Sequence, residues 1–174
     1  MYDFFYTKLQ TTNYRLRTKK GFTLIELLVV VGIIGLLSTV VFATLSGGRP
    51  RARDAKRLSD VKQMALILTV ESTTVAGSQA IVGCTAADAL TTSCTEPGGV
   101  SEFGSFTDPS FTTACASGAT GGCAYSISKK DGSAGAATGD YQICFWLEDP
   151  AAAGRTGNLN TVASPAGNII NGCL

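Results

Sequence analysis

The sequence predicts an α+β protein. A long N-terminal α-helix, transmembrane in its first half and amphipathic in its second, packs on a small antiparallel β-sheet with disulfide-braced loops. Three observations predict it. An unbroken apolar run covers residues 22–45 with one charge, Glu26. Apolar residues then recur every three or four positions through residues 52–68, the period of one helix face. All six cysteines fall in the Gly-rich remainder, beside short apolar or alternating runs that read as strands.

The chain has 174 residues, enough for one modest domain plus a tail. Its charge is divided. Residues 1–71 carry eleven basic groups against five acids, a net of +6, and residues 72–174 carry three against eight, a net of −5. Two halves so different suit two environments. There is no histidine, which excludes Ser-His-Asp and Cys-His nucleophile pairs and His-ligated zinc. No paired acids stand in an apolar setting, so no catalytic residue, no cofactor and no resident metal are expected. The chain is expected not to be an enzyme.

Residues 1–21 form a basic N-terminal segment, with Lys8, Arg15, Arg17, Lys19 and Lys20. Residues 22–46 follow as a membrane helix. The 24 residues from Phe22 to Leu45 would make a helix roughly 36 Å long, against a hydrocarbon core of about 30 Å. A buried core helix would be shorter and would show a polar face. A cleaved secretory signal has a shorter apolar region and a small-residue cleavage site, whereas here Ser46-Gly47-Gly48-Arg49-Pro50 follows. Basic residues flank both ends of the span, so the positive-inside rule does not orient it. The even set of cysteines does, because disulfides form outside the cytoplasm. The N-terminus is therefore expected inside and the cysteine-rich part outside.

Glu26 is the one charge in the span, and a carboxylate there marks function by default. Near the helix start it would also be tolerated at the membrane interface. Gly47 to Pro50 reads as a local break or kink. Residues 47–71 continue as an amphipathic stalk whose apolar face is Ala52, Ala55, Leu58, Val61, Ala65 and Leu68. The opposite face carries Arg51, Arg53, Lys56, Arg57 and Lys62 with Asp54 and Asp60. It reads as a solvated face that pairs with the acidic domains of neighbouring subunits, in preference to a nucleic-acid or headgroup patch. Nucleic acid as a partner has no other support.

Residues 72–174 form the extracytoplasmic Cys- and Gly-rich domain. Residues 124–128 and 141–147 read as a hairpin with a long Gly-rich loop, packed on the stalk. Between Ser72 and Gly122 large apolar residues are few, so loops held by cysteine bridges are expected. Asp131, Asp140, Glu148 and Asp149 supply hard oxygen ligands for calcium, but no EF-hand spacing exists and acids in loops are usually only solvated.

The run Lys19-Lys20-Gly21-Phe22-Thr23-Leu24-Ile25-Glu26-Leu27-Leu28 resembles the processing site of type IV prepilins and type II secretion pseudopilins. The resemblance covers roughly residues 15–70. It implies a pilin-like fold, cleavage after Gly21 by a prepilin peptidase, and N-methylation of Phe22 by the same enzyme. It further implies self-assembly into a helical homopolymer, with an assembly ATPase and a platform protein as partners. Glu26 of one subunit would then neutralise the Phe22 amine of its neighbour. At about 4 Å and an effective dielectric near 20, that pair attracts by roughly 4 kcal/mol before desolvation. The leader is longer than many in the family, and Pro50 lies later than the proline that often bends pilin helices.

Six cysteines admit too many pairings for sequence to choose among. The expected set is Cys84–Cys94 and Cys115–Cys123, which close short loops, and Cys144–Cys173, which resembles the C-terminal disulfide loop of many pilins. The functional expectation is a structural subunit of a type IV pilus, membrane-anchored as precursor and extracellular as filament. A type II secretion pseudopilin of a periplasmic pseudopilus is the nearest alternative. From another class, a bitopic membrane protein with an extracellular binding module would leave Gly21 uncut.

Overall fold

The structure, a computed structural model, describes residues 21–74, 77–165 and 167–174, with the side chains of residues 43–46 left aside. Lys8, Arg15, Arg17, Lys19 and Lys20 of the expected leader lie outside the described residues. The chain divides into two compact units, residues 1–43 and 44–174. One α-helix, α1 (Leu24–Thr74), passes from the first into the second. The first unit, as far as it is described, is the apolar start of α1. The second holds the rest of α1 and a five-stranded sheet.

Helix α1 runs through the expected break. Pro50 lies inside it, where the proline ring removes one backbone hydrogen bond and crowds the preceding turn without ending the helix. From Arg51 onward the helix is tied to its own domain by many side-chain contacts, which hold the register.

The sheet is an antiparallel meander in the order β1 (Ala89–Leu90), β2 (Ser126–Ser128), β3 (Gln142–Trp146), β4 (Leu159–Ala163) and β5 (Ile169–Asn171). Strands β2 and β3 form the expected hairpin, with Ile127 opposite Ile143 and Cys144 opposite Ser126. Its alternation separates two cores. Ile127, Ile143, Phe145 and Val162 pack with Val61, Met64, Ala65 and Leu68 of α1. On the other face Cys144 packs with Cys115 and Cys123, edged by Trp146, Leu159 and Cys173. A helix laid on one side and disulfides on the other therefore bury both faces of β3. Between α1 and β2 the chain forms loops, with short 3-10 helices at Thr91–Ser93 and Gly98–Ser105.

The stalk face differs from its expected pattern. Leu58 is half-buried and Val61, Ala65 and Leu68 are buried, but Ala52 and Ala55 are exposed. In that stretch the buried side chains are Asp54, Arg57 and Asp60. The basic face is thus not simply solvated. Arg51, Arg53, Lys56 and Arg57 find acids within the same chain, and burial follows those ion pairs rather than the small alanines.

Candidate functional site: the N-terminal segment and the helix it opens

Gly21, Phe22 and Thr23 are exposed and non-helical, and α1 begins immediately after them. Thr23 sets that start. Its Oγ1 accepts the Glu26 N–H at 3.3 Å and its carbonyl accepts the Leu27 N–H at 3.2 Å. Thr-x-x-Glu is the spacing of a capping box, with Thr23 as N-cap and Glu26 in the first turn. The free N–H groups of that turn carry the positive end of the helix dipole, and an acid suits that end. Thr23 was legible in the sequence through this spacing, and the motif-based reading passed over it.

From Leu24 to Phe42 the helix has 19 residues of mean hydropathy 2.7, and none of that stretch is buried. Leu24, Ile25, Leu36 and Phe42 are each 70–80% exposed. The two hydroxyls in the span are satisfied within the helix, Ser38 Oγ donating to the Ile34 carbonyl at 2.7 Å and Thr39 Oγ1 to that of Leu36 at 2.8 Å. This leaves an outer surface of hydrocarbon without unpaired hydroxyls. A helix of this length and composition is suited to lipid or to other helices. Gly32 and Gly35 leave notches, since a Cβ at either would meet nothing within 4 Å.

In the second unit, a charged cluster is the feature that sequence reasoning missed. Arg57 is fully buried and gathers three carboxylates. It donates from Nε and Nη2 to Asp108, from Nη1 to Asp54 at 2.8 Å, and from Nη1 to Glu148 at 2.8 Å. Arg53 adds a two-point pair to Glu148, and Arg51 pairs with Asp149 at 3.1 Å. Asp54 also accepts the backbone N–H groups of Glu148 and Asp149 at 2.9 and 2.7 Å. Lys56 bridges Asp60 and the Thr107 carbonyl, and the Tyr125 hydroxyl donates to Asp60 at 3.0 Å.

The electrostatics follow from these partners. Hydrogen bonds from Arg53, opposed by burial and joined by Arg57, hold the Glu148 carboxyl at about 2. Burial alone would lower the Arg57 guanidinium, but bonds to Asp108, Glu148 and Asp54 outweigh it and raise the group further. Burial, then the Asp60 carboxylate, pushes the Tyr125 phenol well above its ordinary range. Near neutrality Arg53, Arg57 and Glu148 keep their charges and Tyr125 its proton.

The cysteines are brought together as Cys84–Cys94, Cys115–Cys123 and Cys144–Cys173, with Cα separations of 4.8, 4.8 and 5.9 Å. The four acids weighed for calcium do not converge. Glu148 and Asp149 face arginines, whereas Asp131 caps its own turn through the Ser133 N–H and hydroxyl. Among the described residues no group of three or more His, Cys, Asp or Glu could hold a metal.

Residues 16–42 match the family described as the prokaryotic N-terminal methylation motif. The chain is similar to the type II secretion system core protein G of Dickeya chrysanthemi, 40% identical over 45 residues that are 26% of this chain and 29% of that protein. It is also similar to the type IV wide pilus major component PilA4 of Thermus thermophilus, 51% identical over 39 residues that are 22% of this chain and 30% of that protein. The matches span less than a third of the length of either relative. No solved structure matches the chain. These similarities are to a secretion-system core protein and a pilus component, not to an enzyme.

Proposed function

We propose that this carrier of the prokaryotic N-terminal methylation motif is a structural subunit of a type IV pilus, cut after Gly21 and polymerised through α1. The filament would serve surface attachment, motility or DNA uptake. One observation carries the reading. Within the matched stretch the Gly21–Phe22 bond is exposed and non-helical, and the helix that opens at Leu24 keeps its apolar residues exposed and Glu26 in its first turn.

In this reading the chain does no chemistry of its own. The precursor sits in the cytoplasmic membrane with its leader inside and its disulfide-braced domain outside. Prepilin peptidase cuts after Gly21 and methylates the new amine of Phe22. An assembly ATPase and a platform protein then drive subunits out of the lipid. There the exposed Leu24–Phe42 surfaces pack on one another, replacing lipid by helix. A lone cationic amine is costly in that core, and Glu26 of a neighbouring subunit neutralises it. The same pair sets the axial register.

A second reading, a pseudopilin of a type II secretion system, draws on the similarity to core protein G. The three disulfides of the outer domain tilt the balance to a surface pilus, where covalent bracing resists shear. Immunogold electron microscopy of cells producing the chain tests the choice. Long labelled surface filaments that vanish in a Glu26→Ala strain support the pilus. Absent filaments together with a block in protein export would place the chain in secretion.

A further inference from the structure

Between residues 51 and 68 helix α1 is fastened to its own domain in two different ways. Over residues 61–68 the buried side chains are Val61, Met64, Ala65 and Leu68, set against Ile127, Ile143, Phe145 and Leu147. Over residues 51–60 they are Asp54, Arg57 and Asp60, and the apolar Ala52 and Ala55 point to solvent. Most partners of this upper stretch are polar. They are Asp108, Glu148 and Asp149, the Tyr125 hydroxyl, the Thr107 carbonyl, and the N–H groups of Glu148 and Asp149. Phe111 adds its ring face, 5.1 Å from the Arg57 guanidinium, and half-buried Leu58 alone reaches the apolar core.

We propose that residues 51–60, loop 107–111 and the turn 147–149 form an ionic latch, a strap that releases α1 as a unit while the apolar core below stays closed. The physics separates the two fastenings. Pulling Val61, Met64 and Leu68 away exposes hydrocarbon to water, an unfavourable change at any extent of opening. Pulling the ionic stretch away returns charged groups to the hydration they gave up, which offsets most of the lost attraction. Freeing one partner alone is different, because it leaves its counter-ion buried and uncompensated. Arg57 touches Asp54, Asp108 and Glu148 at once, so the pairs are held or lost together.

The segment just above weakens the hold further. Gly47 and Gly48 have low helix propensity, and Pro50 withholds a backbone donor. Nothing lies within 4 Å of a Cβ at either glycine, so the two glycines add no packing to the strap. The latch gives α1 a stretch that can exchange its own domain for another surface while drawing only Leu58 and the Asp60 contact to Tyr125 from the edge of the core. It stands independently of the filament reading.

Hydrogen exchange followed by mass spectrometry, on the full chain in detergent micelles, tests it. The latch predicts that amides 51–60 exchange through one shared opening, at least about tenfold faster than amides 61–68. Asp108→Asn should speed the first set by about another tenfold and leave the second within about twofold. Equal exchange of both stretches in the natural chain, or equal acceleration of both by Asp108→Asn, overturns the proposal. Should the variant not fold, the natural chain's two rates decide alone.

Discussion

Arg57 and Asp108, 51 residues apart in sequence, form a two-point ion pair, with Nε to Oδ2 at 2.7 Å and Nη2 to Oδ1 at 3.0 Å, and both side chains fully buried. Asp108 Oδ1 also accepts the Ser110 and Phe111 N–H groups, at 2.8 and 2.9 Å. The carboxylate thereby folds its own loop and presents it to the helix. The pair joins two elements that share no strand pairing.

The cluster around it holds Arg53 and Arg57 against Asp54, Asp108 and Glu148, one acid in excess. Removing a cation is therefore worse than removing an acid. Arg57→Met should cost about 3 kcal/mol, because it leaves Asp54 and Asp108 without a cation and Glu148 with Arg53 alone. Asp108→Asn should cost about 1–2 kcal/mol, the loss of charge-assisted bonds. Denaturant unfolding of the full chain in detergent reads both. An Arg57→Met chain as stable as the natural one would show that the cluster only fills space.

Acid should reach the same cluster through Glu148. Its folded value, about 2, lies below the ordinary 4.5. A depressed carboxylate stabilises fully above its unfolded value, and that stability is lost as pH falls through the folded value. Stability is therefore expected to be level from pH 7 to about 5 and to decline between about 4.5 and 2. After allowance for solvent screening the change is on the order of 1–2 kcal/mol. Glu148→Gln should flatten that limb of the curve measured by chemical denaturation. An unchanged limb in the variant would assign the acid loss to other carboxylates.

Gly83 has φ +89°, and a Cβ there would run into the Ser93 carbonyl across the Cys84–Cys94 bridge. Gly83→Ala combines a left-handed backbone with a clash against main chain, which cannot rotate away. A loss of about 2 kcal/mol or more is expected. Gly104→Ala, where a Cβ meets nothing within 4 Å, is the control and should be near neutral by thermal unfolding. Equal melting of the two variants would contradict the packing around the bridge.

Thr23→Ala removes the N-cap and should weaken the first turn of α1 by about 1 kcal/mol. Faster amide exchange at Glu26 and Leu27, with residues beyond the first turns unchanged, is the expected signature. Thr23→Ser keeps the acceptor and should behave as the natural chain. No change on Thr23→Ala would mean that neighbouring contacts, not the cap, define the helix start.

The parts legible in the sequence are those whose signal is local. The apolar span needs only its own residues, and the β2–β3 hairpin announces itself through Tyr125, Ile127, Ile143 and Phe145. Strand β4 was not legible. Asn160 and Thr161 break the apolar pattern, and they are buried because Asn160 Nδ2 reaches the Gly157 and Asn158 carbonyls while Thr161 Oγ1 reaches that of Ile143. Arg57 was read as part of a solvated face, because Asp108 and Glu148 lie 51 and 91 residues away and no periodicity links them. Ala52 and Ala55 misled for the converse reason. They keep the helical period, but the charged residues beside them have buried partners and alanine has little area to gain.

The central claim is that the chain is made as a precursor and cut after Gly21. Intact and peptide mass spectrometry of the protein, purified from its own cell envelope, tests that claim most directly. The account predicts a mature chain that begins at N-methylated Phe22. A chain still carrying its leader, in cells with an active prepilin peptidase, would contradict it.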